Sequence, residues 1–102
     1  MDTQERIRKQ VTENKVVLYM KGTPEAPQCG FSAAAVQMLE ACGADEVATV
    51  DVLADQDIRQ GIKQFSNWPT IPQLYVGGEF IGGTDIMREM YQSGELKKIL
   101  AK

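Results

Sequence analysis

Apolar residues along this chain switch repeatedly between helical and strand spacing, and the switches lay out an α/β domain. Ile7 and Val11 stand four apart in a polar stretch, which predicts a short helix over residues 2–13. Val16-Val17-Leu18-Tyr19-Met20 is a continuous apolar run of strand length, as expected of a central strand covered on both faces. Lys21 to Gln28, with Gly22, Pro24 and Pro27, reads as a loop. After Cys29 the residues Phe31, Ala35, Met38, Leu39 and Cys42 recur at helical spacing. They predict a helix with one buried face, and Gly43 is its stop.

Val47, Val50 and Val52 mark a second strand within Glu46 to Leu53. Asp55 is suited to cap a third helix carrying Ile58, Ile62 and Phe65 and ending at Ser66-Asn67. Leu74-Tyr75-Val76, Gly77-Gly78 and Glu79-Phe80-Ile81 form the pattern of a hairpin with a Gly-Gly turn. Thr84 is then placed to cap a last helix through Ile86, Met87, Met90 and Tyr91. Ser93-Gly94 interrupts it, and helical spacing resumes from Glu95 to Lys102. The order α-β-α-β-α-β-β-α implies a right-handed β-α-β crossover joined to an antiparallel hairpin. The expected fold is thioredoxin-like: a mixed four-stranded sheet flanked by helices on both faces, in one domain over residues 1–102.

Composition narrows the chemistry. A net charge of −3 argues against nucleic acid or an anionic membrane as the main partner. No apolar run approaches the roughly 20 residues of a bilayer span. The polar start, Met1-Asp2-Thr3-Gln4-Glu5, lacks the layout of a signal peptide and favours a reducing, cytoplasmic setting. There is no histidine, so a Cys-His dyad and histidine metal ligands are out. Two cysteines are too few for a four-thiolate site within one chain.

Attention therefore falls on Cys29-Gly30-Phe31-Ser32, which has the form of a dithiol redox motif with serine in place of its second cysteine. A thiol at a helix N-terminus meets unpaired N–H groups and the positive end of the helix dipole, both favouring thiolate. Lys21, leaving the first strand at the same sheet edge, is the candidate nearby cation. A buried structural cysteine is the competing reading, but it fits poorly with a Pro/Gly loop. Cys42 continues the apolar helix face and reads as buried and inert. A bridge between the two would span roughly 20 Å of helix, whereas a disulfide needs Cα atoms within about 7 Å. Trp68-Pro69-Thr70-Ile71-Pro72 cannot be regular strand, and a cis Ile71-Pro72 bond would leave the Ile71 backbone unpaired and facing the thiol. Gly82-Gly83-Thr84-Asp85 is a glycine approach to a helix N-terminus, suited to a carboxylate, with Asp85 as acceptor for an ammonium.

Lys21-Gly22-Thr23-Pro24, Cys29-Gly30-Phe31-Ser32, Trp68-Pro69-Thr70-Ile71-Pro72-Gln73 and Gly82-Gly83-Thr84-Asp85-Ile86 together resemble the monothiol glutaredoxins of the CGFS type. The likeness covers nearly the whole chain. It implies a cis Pro72 and a glutathione site in which the glutathione sulfur lies beside Cys29. It further implies that Lys21 and Arg59 meet the glycine carboxylate, that Ile71 pairs with the tripeptide backbone, and that Thr84 and Asp85 hold the γ-glutamyl end. Thr84 departs from many members, which carry cysteine there, and so removes an internal partner for an oxidised Cys29. The resemblance also implies a [2Fe–2S] cluster bridged between two protomers by two Cys29 thiolates and two glutathiones. Implied partners are a second copy, a BolA-like protein and apo iron–sulfur recipients. Two alternatives stand beside this: a glutathione-dependent thiol-disulfide oxidoreductase acting through Cys29 alone, and a redox-inert glutathione-binding module.

Overall fold

A computed structural model describes residues 1–101. Its elements run α1 (Thr3–Glu13), β1 (Val16–Met20), β2 (Gly22–Thr23), β3 (Ala26–Pro27), α2 (Gly30–Ala41), β4 (Val47–Asp51), α3 (Gln56–Ser66), β5 (Gln73–Val76), β6 (Glu79–Gly82), α4 (Thr84–Ser93) and α5 (Glu95–Leu100). The main sheet has the order β4-β1-β5-β6. β1 is parallel to β4, with Val16 opposite Val47, and antiparallel to β5, with Leu18 opposite Leu74.

All five residues of β1 are buried, and their alternation feeds two cores. Val16, Leu18 and Met20 pack under α2, α4 and α5 against Leu39, Met87 and Leu96. Val17 and Tyr19 pack under α1 and α3 against Ile7, Val11, Ile58 and Ile62. Each fully buried aliphatic side chain contributes about 1.5–3 kcal/mol. The thioredoxin-like, mixed four-stranded sheet with helices on both faces is therefore the observed fold.

Local chemistry sets the element ends. Asp55 caps α3 by accepting from the Ile58 N–H at 3.2 Å, and Asn67 closes it in the left-handed conformation (φ 55°). Gly77 and Gly78 both take positive φ and make the hairpin turn. The Arg6 guanidinium reaches Asp55 at 2.7 Å, joins α1 to the start of α3, and holds the Asp55 carboxyl below its ordinary value.

Five details depart from the sequence reading. The Lys21–Gln28 segment contains a two-stranded hairpin, β2–β3, because Gly22 (φ +86°) turns the chain where a Cβ would stand 2.5 Å from the Ala26 carbonyl oxygen. The second strand is shorter than Glu46–Leu53, ending at Asp51, whose Oδ1 accepts from the Leu53 N–H at 2.9 Å and turns the chain. Phe31 is 61% exposed rather than in the core, since the first turn of α2 lies at the groove mouth, beyond the cover of the sheet. Cys42 is half-buried at the C-cap of α2, packed against the core edge rather than within it. Gly83, not Thr84, is the N-cap of α4, because the Thr84 hydroxyl donates instead to the Phe31 carbonyl at 3.1 Å. The last helix is described to Leu100, and Lys102 lies outside the described residues.

Candidate functional site

The topology brings three separate segments to one sheet edge. β1 and β4 end there, antiparallel β5 begins there, and β6 ends there. The Lys21 turn and Cys29 follow β1, the Trp68–Pro72 segment precedes β5, and Gly83–Ile86 follow β6. They enclose a groove of about 450 Å³, within the range of about 300–1,000 Å³ usual for small-ligand sites. Every residue the sequence proposed for the site lines it: Lys21, Cys29, Arg59, Ile71, Pro72, Thr84 and Asp85.

Cys29 is the N-cap of α2, with extended backbone (φ −156°, ψ 136°) and no side-chain cap bond. The Ser32 backbone N–H holds its thiol below the ordinary value of 9.0. The Phe31 N–H, the Lys21 charge and the Ser32 hydroxyl act in the same direction, while partial desolvation opposes them. The result is a partly exposed thiol biased toward thiolate.

The two positions where a second sulfur would stand hold hydroxyls already engaged. Ser32 is fully buried, and its Oγ accepts from the Lys21 N–H at 3.1 Å. Thr84 is buried and tied to Phe31. Cys42, at the opposite end of α2, is free, as is Cys29. Among the described residues, Cys29 is the one thiol in the groove.

The Ile71-Pro72 peptide bond is cis. Among the described residues, neither the N–H nor the C=O of Ile71 has a hydrogen-bond partner, so both are left for a ligand. Lys21 sits at one flank, with Arg59 and Lys63 one turn apart on α3. Among the described residues, none of these three cations lies within 4.0 Å of a carboxylate. Asp85 stands in the first turn of α4 with its side chain 94% exposed and Arg88 at 3.9 Å. Sequence reasoning missed Lys63, although its placement four residues after Arg59 on a helix puts both on one face. It also missed the apolar rim of Phe31, Trp68 and Ile86.

The groove thus offers a thiolate, an extended peptide edge, a cationic flank and a helix N-terminus. The glutaredoxin family model matches residues 16–81. An uncharacterized monothiol glutaredoxin of Synechocystis is 60% identical over 99 residues, covering 97% of this chain and 92% of that protein. This chain belongs to the monothiol glutaredoxins. GrlA of Legionella pneumophila, named a probable monothiol glutaredoxin, is 67% identical over 84 residues, covering 82% of this chain and 93% of its own. The solution structure of a monomeric truncated mutant of Trypanosoma brucei 1-C-Grx1 superimposes with a TM-score of 0.87 at 42% identity, covering 99% of this chain and 90% of that one. The single-thiol motif Cys29-Gly30-Phe31-Ser32 is of the CGFS type that this glutaredoxin class carries.

Proposed function

We propose that this glutaredoxin binds glutathione in the groove and carries a [2Fe–2S] cluster shared between two protomers. The observation behind this reading is one activated thiol in a groove whose other candidate sulfur positions, Ser32 and Thr84, are hydroxyls engaged in backbone hydrogen bonds. Glutathione matches the remaining groups. Its glycine carboxylate suits Lys21 and Arg59, with Lys63 adjacent. Its peptide groups suit the free Ile71 edge. Its γ-glutamyl end suits the α4 N-terminus and Asp85.

A [2Fe–2S] cargo requires four thiolate ligands. One Cys29 and one glutathione from each of two protomers supply that number. Because half the ligands are exchangeable small molecules, the cargo would be transferable, which suits delivery to apo iron–sulfur recipients or sharing with a BolA-like partner. The reducing cytoplasm is the setting that would keep Cys29 and glutathione as thiols.

Anaerobic assembly with iron, sulfide and glutathione tests this. A coloured species of twice the monomer mass should form, and Cys29→Ser or omission of glutathione should prevent it. A Cys29→Ser variant that still holds the cluster overturns the reading. Strong glutathione-driven turnover of a mixed disulfide, with no cluster uptake, would favour the oxidoreductase instead.

A further inference from the structure

Gln73 opens β5 with a polar side chain that is fully buried. Its Nε2 donates to the carbonyl oxygens of Trp68 and Thr70, each at 3.1 Å, and its Oε1 accepts from the Tyr75 hydroxyl at 3.3 Å. Burial of the Tyr75 phenol pushes it up to about 12, so it remains a donor at neutral pH. Ser66 and the end of α3 hold the start of the same segment: the Trp68 N–H donates to the Ser66 Oγ at 3.1 Å and to the Lys63 carbonyl at 3.2 Å, and the Ser66 hydroxyl donates to the Ile62 carbonyl at 2.9 Å. Trp68, Pro69 and Thr70 are exposed and belong to no regular element, so these bonds decide which way their peptide groups face.

We propose that Gln73 is a positioning residue for ligand recognition. Its carboxamide turns the Trp68 and Thr70 carbonyls inward and so fixes the direction in which the unpaired Ile71 N–H and C=O face the groove beside Cys29. One side-chain nitrogen with two hydrogens serves two carbonyls at once. A carboxylate in its place has no donor, and an apolar chain leaves both carbonyls unpaired. Orphaned buried acceptors are costly, whereas this exposed segment reaches water by a small rotation. Loss of the donor should therefore move the segment rather than unfold the core. The proposal rests on the glutathione reading and adds a residue that does not itself line the groove.

Two near-isosteric variants test it. Gln73→Met should weaken glutathione binding about tenfold by calorimetry, with no added pH dependence. Gln73→Glu should bind weakly at about pH 7.5 and recover severalfold at about pH 5.5, where the buried carboxyl regains one donor. Dividing each dissociation constant by the wild-type value at the same pH removes the titration of Cys29. In the ligand-free state, amide relaxation and exchange at Thr70 and Ile71 should report added motion in both variants. Wild-type affinity with unchanged Thr70 and Ile71 amides in Gln73→Met overturns the proposal. If the wild-type protein fails to bind glutathione, the function reading fails, and the amide measurements alone decide whether Gln73 orders this segment.

Discussion

Cys29 and Cys42 stand at the two ends of one helix, and the fold gives the same residue type two different roles. Cys29 precedes the first turn of α2, where backbone N–H groups are unpaired and point toward its sulfur, with Lys21 adding charge. Cys42 follows the last turn in the right-handed helical conformation, with its own N–H donated back to the Met38 carbonyl. Its neighbours are Ala44 and the core edge, and its pocket holds Asp45 and Glu46. What differs is which end of the peptide dipoles the sulfur meets, and whether a groove opens before it.

The hardest test of this contrast is deletion. Cys29→Ser should abolish cluster assembly, while Cys42→Ser should leave it within about twofold; equal losses would erase the difference between the helix ends. Alkylation comes next. At about pH 7, iodoacetamide should modify Cys29 at least about tenfold faster than Cys42, as read by mass spectrometry of the two peptides. Lys21→Gln should slow the Cys29 reaction severalfold at that pH without touching Cys42.

Stability sharpens the comparison further. The folded state depresses the Cys29 pKa below its unfolded value of 9.0. Between the two values the unfolded state binds more protons, so the contribution of Cys29 is complete above about pH 9 and disappears as pH falls through the folded value. The melting temperature of wild type relative to Cys29→Ser should therefore rise from pH 6 to 9. Ser32→Ala should cost about 1–2 kcal/mol in denaturant unfolding, because it orphans the Lys21 N–H. Cys42→Ala should cost least, about 0.5–1 kcal/mol, as a half-buried group at the edge of a core.

The period of apolar residues was enough to place β1, α3 and the β5–β6 hairpin close to their observed limits, because each satisfies a local rule: an unbroken apolar run, an Asp55 cap, a Gly-Gly turn. Where the reading missed, local and tertiary geometry disagreed. Phe31 has the right spacing for the α2 face but lies where that helix reaches the open groove. Thr84 has capping chemistry, yet its hydroxyl finds a carbonyl 53 residues away in sequence. The β2–β3 hairpin is two residues per strand and leaves no period to detect.

By itself the sequence determined the types of the longer elements, the single-thiol motif and the candidate cations Lys21 and Arg59, since each depends on residue identity and short-range spacing. Only the tertiary structure decided which groups are free to act. Ser32 and Gln73 are polar in sequence but buried, and both are committed to holding backbone. Lys63, one lysine among many in the sequence, faces the groove. Availability depends on what lies across the sheet edge, and that edge is assembled from segments distant in the chain, with Val16 opposite both Val47 and Val76.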